Sequence, residues 1–244
     1  MSNHILVAEN IKKKYGASTI LEDVSLHVEH GDIYGLVGKN GSGKTTLLRI
    51  LTGLVPDYDG KISVAKTNGQ ESRFAVLIND PSLFLNMSAF ENMKEQAYLL
   101  GLHNDNQIKE VLDLVGLTLC GKKRVSRFSL GMMQRLKLAM ALLQKPDILI
   151  LDEPLNGLDP GGIADLRVLL LYLQEKGMTI LISSHLLSEL EQIVTRLAIL
   201  HNGKIVKEIA TQEVFCTGTS LEKLYMQYTR GGIRNDEFIE KRSL

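Results

Sequence analysis

The stretch IYGLVGKNGSGKTTLLRIL, residues 33 to 51, joins an uninterrupted apolar pentapeptide to a glycine-rich turn and then to apolar positions spaced as on a helix face. A strand that is apolar on both sides must be covered on both faces, which points to a parallel sheet with layers packed above and below it. The turn satisfies GxxxxGK[ST] with Gly38, Gly43, Lys44 and Thr45, in the strand-to-helix context that the motif needs. Its glycines let consecutive backbone N–H groups converge, and the helix start adds partial positive charge. Gly38, Lys39, Asn40, Gly41, Ser42, Gly43, Lys44, Thr45 and Thr46 therefore form a candidate phosphate cradle. Lys44 is expected to pair with β- and γ-phosphates, and the Thr45 hydroxyl to bind Mg2+. Kinases, GTPases, helicases, motors and pumps all use such a cradle, so the remaining residues decide among them.

Before the cradle, HILVAENI and TILEDVSLHVEH alternate or cluster β-branched and apolar residues, so the first ~40 residues read as strands. The helix after it stops near Gly53 and Pro56. Between about 86 and 145, periodic apolar positions in AFENMKEQAYLLGL, QIKEVLDLVGL and GMMQRLKLAMALLQK predict helices, a helical insert. DILILDEP and MTILISSH read as buried parallel strands separated by the helix GGIADLRVLLLYLQEKG, and LAILHNGKIVKEI as a hairpin turning at Asn202-Gly203. ILILDEP places Asp152 at the end of the sheet where α/β folds bind ligands, suited to the Mg2+ shell. The adjacent Glu153 suits the base that orients and deprotonates an attacking water.

Composition narrows the function classes. Lys+Arg and Asp+Glu both count 28, so no net field draws the chain to nucleic acid or an anionic membrane. The runs Lys12-Lys13-Lys14 and Lys122-Lys123-Arg124 read as solvated faces. Cys120 and Cys216, without CxxC or Cys/His spacing, fit a reducing compartment. MSNHILVAENIKKK puts its lysines after the apolar stretch, the wrong order for an export signal, and no segment approaches the roughly 18 apolar residues of a membrane span.

The pieces RFSLGMMQRL (127–136), NGLDP (156–160) and SSH (183–185), in order with the cradle and ILILDEP, resemble the nucleotide-binding subunits of ABC transporters. The likeness covers residues ~5 to ~215, and the run HLLSELEQI makes it most similar to the bacitracin-resistance and lantibiotic-immunity exporters. The resemblance implies a P-loop NTPase fold of ABC type: a mostly parallel α/β core flanked by helices, an antiparallel β subdomain that holds adenine, and a helical subdomain. It implies one nucleotide-binding domain over 1–215 with the helical part at about 80–145, then a short helix and charged tail over 216–244. It further implies an ATPase using ATP and Mg2+, a homodimer or paired subunit in the ATP-bound state, and a separate transmembrane permease that keeps the chain at the cytoplasmic face of the membrane.

Residue by residue, the resemblance gives Ser129, Leu130, Gly131 and Met132 to a signature that faces ATP on the partner's cradle. The residues themselves support this: Ser129 precedes a periodic helix, an N-cap position whose free N–H groups favour an anion. His185 would reach the γ-phosphate or orient Glu153, Asp159 would lie at the subunit junction, and Tyr15 would stack on adenine. Asn79, in LINDP, stands where most of the family carries Gln and the lantibiotic branch Glu. A metal contact by this shorter side chain, a water-mediated one by Asp80, and a loop that chiefly touches the membrane partner all remain open. Leu130 and Met132 replace the commoner Gly and Gln.

A soluble ABC ATPase acting on ribosomes or DNA is the alternative reading; such chains resemble two cassettes, or one split by long heptads, and neither pattern is present. A small-molecule kinase leaves the signature helix without a purpose, and no NKxD guanine reader favours a GTPase.

Overall fold

The computed structural model describes residues 3–67, 69–78, 82–216 and 218–229. Strands β1 (His4–Tyr15) and β2 (Ser18–Glu29) pair antiparallel, and β3 (Ile33–Val37) leads into helix α1 (Lys44–Leu51). β4 (Asp59–Val64) adds to the other edge of β1; β5 (Lys66–Thr67) and β6 (Gln70–Glu71) pair with each other, and β7 (Phe74–Leu77) follows. The helical region holds α2 (Ala89–Leu99), α3 (Asp105–Leu114) and α4 (Leu130–Leu142), the last two separated by 3-10 turns. Then come β8 (Ile148–Asp152), α5 (Pro160–Glu175), β9 (Thr179–Ser184), the short α6 (Leu187–Leu190), β10 (Arg196–His201), β11 (Lys204–Ala210), α7 (Thr211–Cys216) and α8 (Leu221–Thr229).

The larger sheet runs β11-β10-β3-β9-β8-β7, with every neighbouring pair parallel except the β10–β11 hairpin. Its inner strands β3, β8, β9 and β10 carry unbroken apolar runs because the period of two feeds two cores. Tyr34, Leu36, Ile148, Ile150, Leu181, Ala198 and Leu200 point to one side, where they meet α1 and the inner face of β1 and β2. Ile33, Val37, Leu149, Leu151, Ile180, Ile182, Leu197 and Ile199 point to the other, against α4, α5 and α8. Truncating such a fully enclosed leucine, Leu181 for instance, costs on the order of 2–5 kcal/mol. The hairpin turns at Asn202 and Gly203 with φ of 48° and 73°, the left-handed pair that a two-residue turn demands.

Local chemistry sets the helix starts that matter for the site. Ser88 and Glu91 form a reciprocal capping box at α2, and the donated hydrogen bonds from the Ser88 backbone and hydroxyl hold the Glu91 carboxyl below its ordinary pKa. Asp159 caps α5, its Oδ1 accepting from Gly162 N–H at 2.8 Å, with Pro160 in the first turn where its missing donor is harmless.

Two features depart from the sequence reading. Residues 59–77 carry four strands that apolar alternation does not announce, because β4, β5 and β6 are short and largely exposed and depend on the edge of β1 or on each other for partners. Lys13, read as part of a solvated basic run, is buried, while Lys12 and Lys14 are exposed. Its ammonium is bound by both the carbonyl and the carboxylate of Asp57, partners that offset the cost of burying a charge.

Candidate functional site

The turn between β3 and α1 is built around two close approaches. A Cβ on Gly38 would sit 2.5 Å from both the Leu200 carbonyl and the Ser42 hydroxyl. Gly43 has φ of 107° and lies against Leu21, so a side chain there would be strained and would strike β2. Helix α1 opens without a side-chain cap and without an acidic residue in its first turn, so its first N–H groups retain their demand for an anion. Ser42 Oγ is buried and has no hydrogen-bond partner among the described residues, a second unmet polar demand beside the same turn.

An open cleft of about 390 Å³ lies over this turn, lined by Ile20, Asn40, Gly41, Gly43, Lys44, Thr45, Thr46 and Glu153. Lys44 is almost wholly enclosed at 6% exposure. Its Nζ donates to the Gly38 carbonyl at 2.7 Å and more weakly to that of Lys39 at 3.4 Å. Glu153 Oε1 stands 3.1 Å from the same Nζ, without hydrogen-bond alignment, so that contact is Coulombic. The other carboxylate oxygen, Oε2, lies 2.9 Å from His185 Nδ1. Lysine, glutamate and histidine, 109 and 32 positions apart in the chain, thus form one line of contacts across the ends of β3, β8 and β9.

Glu153 follows β8 with φ of 51°, a left-handed conformation unusual for a residue with a long side chain. It is held there by its own N–H, which donates to Ser183 Oγ at 3.0 Å and lies 3.2 Å from Ser183 O. Ser183 also donates to Asp152 Oδ1 at 2.5 Å, and Thr45 Oγ1 donates to Asp152 Oδ2 at 2.6 Å. A threonine hydroxyl and a carboxylate side by side are hard oxygen donors, the set that Mg2+ prefers while phosphate oxygens and water complete its shell. Ser183 thereby fixes both acidic residues, a role that the sequence reading missed; the only signal was its place inside SSH. Ile20 was missed as well, because nothing in an ordinary strand marks it as a wall of the cleft.

The other predicted residues lie apart from this cleft. Ser129 is the N-cap of α4, its Oγ accepting from Met132 N–H at 3.3 Å. A Cβ on Gly157 would meet Leu130 at 2.8 Å, and the nearest backbone to a Cβ on Gly131 is Gly162, 4.0 Å away. The beginnings of α4 and α5, with Ser129 and Asp159, are therefore neighbours on a surface separate from the lining of their own cleft. Tyr15 ends β1 half exposed and is outside the cleft lining too. Asn79 and Asp80 lie outside the described residues, as does the tail 230–244.

A glycine turn on a parallel sheet, a buried lysine, and two acidic residues at the end of the adjoining strand define a P-loop nucleotide hydrolase. The sequence profile described as ABC transporter matches residues 21–156, and the chain belongs to that family, as an ATP-binding and ATP-hydrolysing subunit. It is 43% identical over 212 residues to a bacitracin transport ATP-binding protein of Bacillus licheniformis, covering 84% of this chain and 69% of that protein. It is 42% identical over 210 residues to a lantibiotic transport ATP-binding protein of Streptococcus pyogenes, covering 84% and 90%. A solved ATP binding subunit of an ABC transporter superposes with a TM-score of 0.78 at 29% identity, over 92% of this chain and 99% of that one.

Proposed function

We propose that the chain drives export of a peptide antibiotic or similar amphiphile through a separate membrane-embedded permease, working as a pair of subunits at the cytoplasmic face. The observation that carries the chemical part is the Lys44–Glu153–His185 line in the cleft. An entering triphosphate takes over the Lys44 ammonium, which releases Glu153 Oε1. The freed carboxylate accepts a proton from the water that attacks the γ-phosphorus, while the bond to the β–γ bridging oxygen breaks to leave ADP and phosphate. His185 keeps hold of Oε2 and so fixes the direction in which Glu153 faces. Thr45 and Asp152 would hold Mg2+, which would supply positive charge to offset that of the phosphates.

Pairing is supported by the separation of Ser129–Met132 from the cleft of their own chain. Ser129 and Gly131 open a 13-residue helix, and their N–H groups suit the γ-phosphate on the cradle of a second subunit, with Asp159 beside them at the junction. Among the described residues no helix is long and apolar enough to cross a membrane, and a separate permease is supported by relatives named as transport ATP-binding proteins. The cargo follows the names of the bacitracin and lantibiotic relatives.

The test is purification of the tagged chain from membranes of its source, with identification of the associated polytopic chain and a measurement of bacitracin and lantibiotic sensitivity after replacement by Glu153→Gln. A permease partner and raised sensitivity are expected. A complex with ribosomes or DNA, or unchanged sensitivity to all such peptides, overturns the reading.

A further inference from the structure

The middle lysine of Lys12-Lys13-Lys14 is only 5% exposed; it lies near the end of β1, the central strand of the three-stranded sheet. Its Nζ donates to the Asp57 carbonyl, contacts Asp57 Oδ2 at 2.9 Å, and stands 4.9 Å from the centroid of the Tyr15 ring. An ammonium over the face of an aromatic ring is held by the ring quadrupole, most strongly where water is excluded. Asp57 belongs to the segment leaving α1, which packs Val55 and Tyr58 on the core, but its own side chain is 97% exposed and is held by the lysine. Tyr15 is 48% exposed, so about half of its surface is left for a ligand.

We propose that Lys13 is a positioning residue for nucleotide binding: it fixes the Tyr15 ring against the exit of α1, the helix whose opening turn is the phosphate cradle. This rests on the reading of Tyr15 as the platform for the base. The contacts from ring to ammonium to Asp57, continued by the short segment whose Val55 N–H donates to Arg49 O of α1, set the span between base and phosphate sites, so both ends of a nucleoside triphosphate are engaged together. The base takes the face of Tyr15 that Lys13 does not cover. Ligands with a triphosphate but no base gain nothing from the arrangement.

The test is calorimetric titration of the full chain with ATP and with inorganic tripolyphosphate, together with steady-state ATPase rates. Lys13→Met keeps the stem and removes the charge. It is expected to weaken ATP binding about 3- to 10-fold, to raise KM by the same factor with kcat held, and to leave tripolyphosphate affinity as it was. Lys13→Arg is expected to restore ATP binding. In a Tyr15→Ala background, Lys13→Met adds no further loss. Unchanged ATP affinity in Lys13→Met, equal losses for ATP and tripolyphosphate, or a loss that persists without the Tyr15 ring overturns the proposal. If Tyr15→Ala alone leaves ATP affinity intact, the base platform itself is refuted, a result distinguishable from failure of Lys13 alone. Should Lys13→Met not fold, Asp57→Ala reads the same pattern from an exposed side chain: weaker ATP and unchanged tripolyphosphate are expected, and unchanged ATP affinity overturns the idea.

Discussion

Replacing Glu153 by glutamine should do more than stop hydrolysis: it should tighten nucleotide binding in a single subunit. In the structure the Lys44 ammonium already has an anionic neighbour, Glu153 Oε1 at 3.1 Å, and a phosphate must displace it. At an effective dielectric of ~20, two unit charges at that separation attract by about 5 kcal/mol. Desolvation of both enclosed groups offsets most of this, leaving a net of ~1–2 kcal/mol. Glu153→Gln keeps the shape and removes the charge, so the empty protein loses stability of about that size while the nucleotide complex does not. Affinity is then expected to rise roughly 5- to 30-fold. The assay is calorimetric titration with ADP, and with ATP in a Ser129→Arg background so that subunit pairing cannot supply the gain. Adding Lys44→Ala must abolish the tightening. Equal ADP affinity in wild type and Glu153→Gln, or a gain that survives loss of Lys44, refutes the resting ion pair as a competitor of the phosphate.

Lys44→Ala should abolish ATP turnover while far-ultraviolet circular dichroism stays native; wild-type turnover would remove the central assignment. Glu153→Gln protein is expected to shift to a dimer on size-exclusion chromatography when ATP is added at high protein concentration, and Ser129→Arg to reverse the shift; a dimer indifferent to both would sink the shared site. Tyr15→Ala should weaken ATP binding by ~1–3 kcal/mol, with Tyr15→Phe and Tyr15→Trp mild, because stacking needs a ring and not a hydroxyl; equal losses in all three would assign Tyr15 to structure alone. Ser88→Ala removes the cap of α2 and should cost ~1 kcal/mol in denaturant unfolding without altering ADP affinity; a change in ADP affinity would couple the helical region to the cleft in a way the geometry does not suggest.

The parts of the fold that could be read from sequence are those whose pattern has one physical solution. β3, the first four residues of β8 and residues 180–182 of β9 are apolar because each strand feeds two cores, and Asn202-Gly203 supplies a turn chemistry that a two-residue hairpin favours. β4, β5 and β6 escaped because they are short and largely exposed, with β4 paired to the distant β1, and β7 because it has only four residues and a partner, β8, far along the chain. At the site, motif order placed the cradle, Asp152 and Glu153, but not the contacts among them. Thr45 and Asp152 are 107 positions apart, and the link from Lys44 through Glu153 to His185 exists only once three strand ends are side by side. Ser183 and Lys13 escaped for a related reason. A serine in a strand and a lysine among lysines acquire meaning from burial, which local sequence does not reveal.

Glu153 holds its left-handed backbone at a cost of roughly 1–2 kcal/mol for an L-residue with a side chain, about the size of what its ion pair with Lys44 returns. Glycine at this position would surrender the second term and escape the first, so the two changes nearly cancel in the folded protein without nucleotide. Heat resistance, solubility and expression level would then be blind to the substitution, and selection for a sound fold alone could not preserve the chemistry. In a pair of unlike subunits descended from a common ancestor, one member could drift into silence while still folding, still binding nucleotide and still presenting its Ser129 surface to an active sister.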